Sequence, residues 1–141
     1  MHKTILLIDD EWRLAQALQT RLQASGFRVR VAASGKEGLS VARAHCPDVI
    51  LLDINMPEMD GYKTCRAIRA DPSLGATPII VISATADAAS CRATFEAGAN
   101  QFLAKPYEVK YVLEAIQVAL DSSGMDKDAQ RKDAILRAMR I

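Results

Sequence analysis

Val49-Ile50-Leu51-Leu52-Asp53 is a stretch in which four consecutive apolar side chains run straight into a carboxylate. Such a run is too short for a helix and shows no polar alternation, which is the pattern of a strand buried on both faces. The pattern recurs along the chain: Ile5-Leu6-Leu7-Ile8 precedes Asp9-Asp10, Ile79-Ile80-Val81-Ile82 precedes Ser83, and the weaker Phe102-Leu103-Ala104 precedes Lys105-Pro106. Each run is followed by a helix-compatible segment, and that alternation predicts a doubly wound, parallel α/β sheet. In such sheets the ligand crevice lies beyond the carboxyl ends of the strands. Three acids, a hydroxyl and a lysine are therefore expected to meet there, although they are far apart in sequence.

The predicted order is strand 3–9, helix 11–25, strand 27–32, helix 35–45, strand 48–53, a loop, helix 60–70, strand 78–83, helix 87–97, strand 100–104 and helix 107–120. Ser34 and Glu37 fit a capping box, and Gly26 and Gly98 stand where helices stop. Asp71-Pro72 and Thr77-Pro78 bracket a connection that cannot be helical throughout, because a proline disfavours helical geometry in the residue before it. After Leu120 the composition changes. Asp121-Ser122-Ser123-Gly124 reads as a stop and Asp126 as an N-cap for a further helix through Met139. The expected division is residues 1–121 as one domain and 122–141 as a helical tail or linker.

The chain has 141 residues with 18 Lys+Arg against 17 Asp+Glu, a formal net charge of +1. That balance gives no broad attraction to nucleic acid or to an anionic membrane, and neither is expected as a direct partner. Arg13, Arg21, Arg28 and Arg30 are spread over a helix and a strand and read as a solvated face. Cys46, Cys65 and Cys91 are odd in number and lack Cys-x-x-Cys spacing, which favours reduced thiols over disulfides or a zinc site. The apolar residues before Asp9 are too few for a signal peptide or a membrane span. A soluble, cytoplasmic protein is the expectation.

Asp9, Asp10 and Asp53 would repel one another. Two unit charges about 4 Å apart cost roughly 1 kcal/mol in bulk water and roughly 4 kcal/mol at an effective dielectric of 20. A cation among them is expected, and all-oxygen ligation suits Mg²⁺, with Mn²⁺ able to substitute. One carboxylate could then attack phosphorus, with Lys105 neutralising charge and the Ser83 hydroxyl donating to a phosphoryl oxygen. Pro106 restricts Lys105 to extended geometry and would aim it from the end of its strand. Taken singly these residues have ordinary explanations: Asp10 suits an N-cap, Ser83 and Thr85 suit capping of the following helix, and Asp53 suits a strand-end turn.

Taken together, Ile8-Asp9-Asp10-Glu11, Asp53-Ile54-Asn55-Met56-Pro57-Glu58-Met59-Asp60-Gly61, Ser83-Ala84 and Lys105-Pro106 resemble the receiver domains of two-component response regulators, over about residues 3 to 120. The resemblance implies a flavodoxin-like strand order, 2-1-3-4-5. It also implies Asp53 as phosphoryl acceptor, Asp10 as a direct Mg²⁺ ligand, Asp9 acting mainly through water, and the Asn55 backbone carbonyl as a further ligand. Ser83 stands at the switch hydroxyl, Lys105 at the phosphate-binding lysine and Phe102 at the aromatic rotamer switch. Asn55 and Thr85 occupy positions that tune phosphoryl lifetime. Phe102 lacks the hydroxyl of the tyrosine common there, so its inward form buries no polar tip.

The implied function is a signalling module rather than a metabolic enzyme. It would take a phosphoryl group from a histidine kinase or histidine phosphotransfer protein and alter the surface of its fourth helix, last strand and fifth helix. That surface would meet a downstream protein or a second copy of the chain. An Mg²⁺-dependent phosphatase with an aspartyl-phosphate intermediate is the enzyme alternative. Such enzymes place an acidic general acid/base two residues after the nucleophile, where this chain has Asn55, an amide that cannot shuttle protons. A third alternative is an interaction module that works without phosphorylation.

Overall fold

A computed structural model describes residues 2–54, 61–85 and 87–121. The elements alternate as predicted: β1 (Thr4–Ile8), α1 (Trp12–Ala24), β2 (Arg28–Ala32), α2 (Gly35–His45), β3 (Val49–Asp53), α3 (Gly61–Ala70), β4 (Ile79–Ser83), α4 (Ala88–Glu96), β5 (Gln101–Ala104) and α5 (Val109–Asp121). All strand pairs are parallel, in the order β2-β1-β3-β4-β5, the flavodoxin-like arrangement. The predicted tail, residues 122–141, lies outside the described residues, and so do residues 55–60, Asn55 among them.

The central strands β3 and β4 are buried at every position, which is why they read as unbroken apolar runs. Successive side chains still point to opposite faces and feed two cores. Leu6, Ile8, Ile50 and Leu52 join Ala42 of α2, Ile68 of α3 and Phe95 of α4. Ile5, Leu7, Val49 and Leu51 join Leu18 and Leu22 of α1 and Val112 and Ile116 of α5. At the β2 edge the pattern loosens, with Arg28 and Arg30 exposed between partly buried valines. Charged side chains on an edge strand discourage pairing with another chain.

Local signals account for the helix ends. The Ser34 hydroxyl accepts from the Glu37 N–H at 3.1 Å, and the Glu37 carboxylate accepts from the Ala33 N–H at 3.0 Å, one residue earlier than a standard capping box would place it. Gly26 and Gly98 adopt φ of +97° and +110° where α1 and α4 end. Among the described residues a third left-handed one is Cys46, at φ +44°, which closes α2. At Gly98 space matters as much as φ, since an added Cβ would lie 2.6 Å from Cγ of Arg69.

Candidate functional site

The strand order reverses at the centre of the sheet, because β1 leads to β2 on one side while β3 leads to β4 on the other. A crevice opens at such a reversal, beyond the strand ends. Three of the four ladders are prolonged at this rim by one further backbone hydrogen bond: Asp9 N to Ala32 O at 3.0 Å, Ile54 N to Ile82 O at 3.1 Å just after Asp53, and Lys105 N to Ser83 O at 2.8 Å. The sheet itself therefore positions Asp9, Asp53, Ser83 and Lys105. Gly61 opens α3 with its N–H donating to Ile54 O at 3.1 Å, and a Cβ there would run into the Ile54 backbone.

Asp9, Asp10 and Asp53 each offer a carboxylate oxygen within 4.8 Å of the others. Asp9 and Asp53 are buried, at 7% and 3% exposure, while Asp10 is exposed and forms the outer edge of the cluster. Asp10 does not cap α1, whose N-cap is Glu11 without a side-chain bond. Lys105 Nζ stands 3.1 Å from Asp53 Oδ2. Asp9 Oδ1 accepts from the Glu11 N–H at 2.9 Å. Burial pushes the Asp9 carboxyl up to about 6, with the adjacent Asp53 carboxylate acting in the same direction, against the Glu11 N–H and the Lys105 ammonium.

One ammonium does not balance three carboxylates, and the neighbouring Asp53 charge adds to the burial that already raises Asp9. A divalent cation would relieve that imbalance. Three carboxylate oxygens, one at the solvent edge, are a hard donor set with room for waters, which fits Mg²⁺ or Mn²⁺.

The Ser83 hydroxyl is buried at the end of β4 and accepts from the Thr85 N–H at 3.1 Å. Neither Ser83 nor Thr85 caps the next helix. Asp87 does so by accepting from the Ser90 N–H at 2.7 Å, which corrects the capping reading of the two hydroxyls. Thr85 is exposed, and Phe102 is buried in the same core layer as Cys91 and Phe95 of α4. On the α4–β5–α5 side, Arg92 is exposed and Tyr111 is half-exposed with Lys110 Nζ 5.1 Å from its ring centroid. The Lys105–Pro106 peptide is cis, which the sequence reading did not anticipate.

Sequence reasoning missed Tyr107. Its ring packs on the α1/α5 core, and its phenol is pushed above the ordinary value by burial and then by the Asp9 and Asp53 carboxylates. The available signal was its place two residues after Lys105. Trp12 is 66% exposed with the Arg13 guanidinium 5.3 Å from its ring centroid.

A doubly wound sheet with an acidic, lysine-paired crevice at its reversal point defines a flavodoxin-like α/β module with a candidate cation site. The chain belongs to the response regulator receiver domain family, which it matches over residues 5–117. It is 37% identical over 116 residues to the probable transcriptional regulator ycf27 of Guillardia theta, covering 82% of this chain and 44% of that one. To the alkaline phosphatase synthesis transcriptional regulatory protein PhoP of Bacillus subtilis it is 30% identical, covering 100% of this chain and 61% of the relative. The chain thus spans about half the length of the curated relatives it matches. Among solved structures, chemotaxis protein CheY4 of Vibrio cholerae superposes with a TM-score of 0.82 at 30% identity, over 85% of this chain and 100% of that one. Among the described residues no helix is long and apolar enough to cross a membrane.

Proposed function

We propose that this chain is a phosphoryl-accepting switch in which Asp53 takes a phosphoryl group from a histidine kinase or a histidine phosphotransfer protein. The observation that carries this reading is the buried Asp53 carboxylate, flanked by Asp9 and Asp10 within 4.8 Å and met by Lys105 Nζ at 3.1 Å. An Asp53 oxygen forms a bond to phosphorus while the P–N bond to the donor imidazole breaks, and the electron pair leaves with the imidazole nitrogen. Asp9, Asp10 and Asp53, joined by the Asn55 carbonyl, would hold Mg²⁺. When bound, the ion offsets charge on the transferring group. Lys105 binds a phosphoryl oxygen, which requires it to exchange its carboxylate contact for the new anion. Ser83 gives up the Thr85 N–H to donate to another. Asn55 and Thr85 then govern how readily water reaches the acyl phosphate.

The readout is a changed α4–β5–α5 surface. Phosphorylation adds about −1.5 to −2 charges and three acceptor oxygens at the Asp53 position, and Ser83 is drawn toward them. Movement of Ser83 changes what Phe102 packs against, and the adjoining surface follows. That surface would bind a downstream protein or a second copy of the chain, while residues 122–141 serve as tail or linker.

Acetyl phosphate with Mg²⁺ should add one phosphoryl mass to the wild type and none to Asp53→Asn. An undiminished mass shift in that variant would sink the assignment.

A further inference from the structure

The hold of α4 on its sheet face is thin. Its buried side chains are Cys91, Thr94 and Phe95, so one large apolar residue does what Leu18 and Leu22 do for α1, or Val112 and Ile116 for α5. Thr94 sits within that contact at 0% exposure, and its Oγ1 has no hydrogen-bond partner. Elsewhere the chain displays what a hydroxyl near a helix ordinarily does: Thr20 donates to Gln16 O at 3.0 Å and Ser25 to Arg21 O at 3.1 Å, each four residues back. Thr94 has the same option at the carbonyl of Ser90 and does not take it.

A hydroxyl that has left water without finding a partner raises the free energy of the packing that strands it. A small displacement of the helix would return the hydroxyl to the Ser90 carbonyl or to solvent. The helix concerned is also the one the switch must move. It follows the Ser83–Thr85 turn, and its buried face shares a core layer with Phe102.

We infer that the stranded hydroxyl of Thr94 is a bias built into α4, raising the resting packing toward the switched one so that modification at Asp53 has less to overcome. The inference rests on the switching function proposed above. It assigns to Thr94 a positioning role that involves no contact with the reacting atoms. Its thermodynamic signature is specific, because relieving the penalty stabilises the resting state against unfolding and against switching together. A ligand that drives the switch must then make up the difference through its own preference for the switched state.

Valine has the shape of threonine without the hydroxyl, and serine keeps the hydroxyl without the methyl group. Wild type, Thr94→Val and Thr94→Ser are titrated with beryllofluoride in Mg²⁺, following the amide signals of Arg92 and Gln101, and each is melted without ligand. Thr94→Val should melt several degrees higher while its beryllofluoride midpoint rises about three- to ten-fold. Thr94→Ser should melt lower yet keep the wild-type midpoint. A higher Tm with an unchanged midpoint would make the hydroxyl a packing defect unconnected to switching and overturn the inference. A lower Tm in Thr94→Val would overturn it too, by showing that the hydroxyl is satisfied. If wild type itself responded to neither beryllofluoride nor acetyl phosphate, the phosphoacceptor reading would fall and the bias with it, an outcome distinct from a difference among variants.

Discussion

The ammonium of Lys105 stands 3.1 Å from Oδ2 of Asp53, 52 positions away, although β4 separates the two strands that carry them. The lysine reaches across the end of β4 to a carboxylate that a divalent cation would also claim. Lys105→Met removes the competitor. Mg²⁺ should bind the variant roughly 30-fold more tightly, the equivalent of about 2 kcal/mol for a divalent cation freed of one ammonium at about 4 Å in water. Phosphorylation by acetyl phosphate should meanwhile slow about 100-fold for want of the cation on the transferring group. Calorimetry and mass spectrometry measure the two effects, and weaker Mg²⁺ binding in Lys105→Met would contradict the competition.

Asp9 gives the domain a pH dependence of definite sign. Its folded value of about 6 lies above the ordinary 3.8, so the folded state holds the proton more firmly than the unfolded chain. In chelator, the stability contributed by this group is complete below about pH 4 and is lost as pH rises through about 6. Mg²⁺ affinity should climb over the same interval as the carboxyl ionises. Thermal melts from pH 4 to 8 in chelator, compared with Asp9→Asn, isolate the group; parallel profiles for the two proteins would reject the assignment.

At the opposite end of the sheet, Arg69 donates to Gly98 O at 2.7 Å, Gly75 O at 3.2 Å, Thr77 O at 2.6 Å and Asn100 Oδ1 at 2.5 Å. Asn100 Oδ1 also accepts from the Ile79 N–H at 2.9 Å, so one guanidinium ties α3 to the segments entering β4 and β5. Arg69→Ala should cost about 3 kcal/mol and lower Tm by roughly 6–12 °C. Arg69→Lys should recover little, because an ammonium lacks the planar fork. Both variants should still accept a phosphoryl group on Asp53 at temperatures where they are folded. Loss of labelling in the folded Arg69→Lys variant would tie this end of the sheet to the chemistry.

Cys46 is a non-glycine residue in left-handed geometry at an exposed helix end. Such geometry costs roughly 1–2 kcal/mol in an L-residue, partly offset in glycine by the entropy of the unfolded chain. Cys46→Gly should therefore stabilise by about 1 kcal/mol, observed as a Tm a few degrees higher. A lower Tm would mean that the thiol makes a contact worth more than the strain.

Much of this was legible because buried parallel strands leave an unambiguous trace. Val49–Leu52 and Ile79–Ile82 admit few readings other than interior strands, and the residues ending them mark the rim. The site residues at strand ends follow from topology alone. What stayed hidden depends on side-chain direction. Arg69, in the last turn of α3, looks like any basic helix end until the chain folds back to set carbonyls around it. Asp87 rather than Ser83 or Thr85 caps α4, because the helix begins only at Ala88 and Asp87 stands at its N-cap position. Whether Thr94 finds a partner is decided by how α4 packs on the sheet, and the approach of Tyr107 to the acids by the turn between β5 and α5.

The carboxylate cluster also bears on how long each folded molecule lasts. Asp9 and Asp53 come together only once β1 and β3 have paired, and Lys105 joins only when β5 has closed the sheet beyond β4. If the rim closes only after the transition state, their mutual repulsion weighs on the finished fold alone and is shed as soon as it opens. Contacts absent from the transition state act on unfolding rates and leave folding rates nearly untouched. Divalent cations should accordingly slow the unfolding limb of a chevron while the folding limb stays in place. The ion would govern the lifetime of the finished protein, with little say in how quickly it is made.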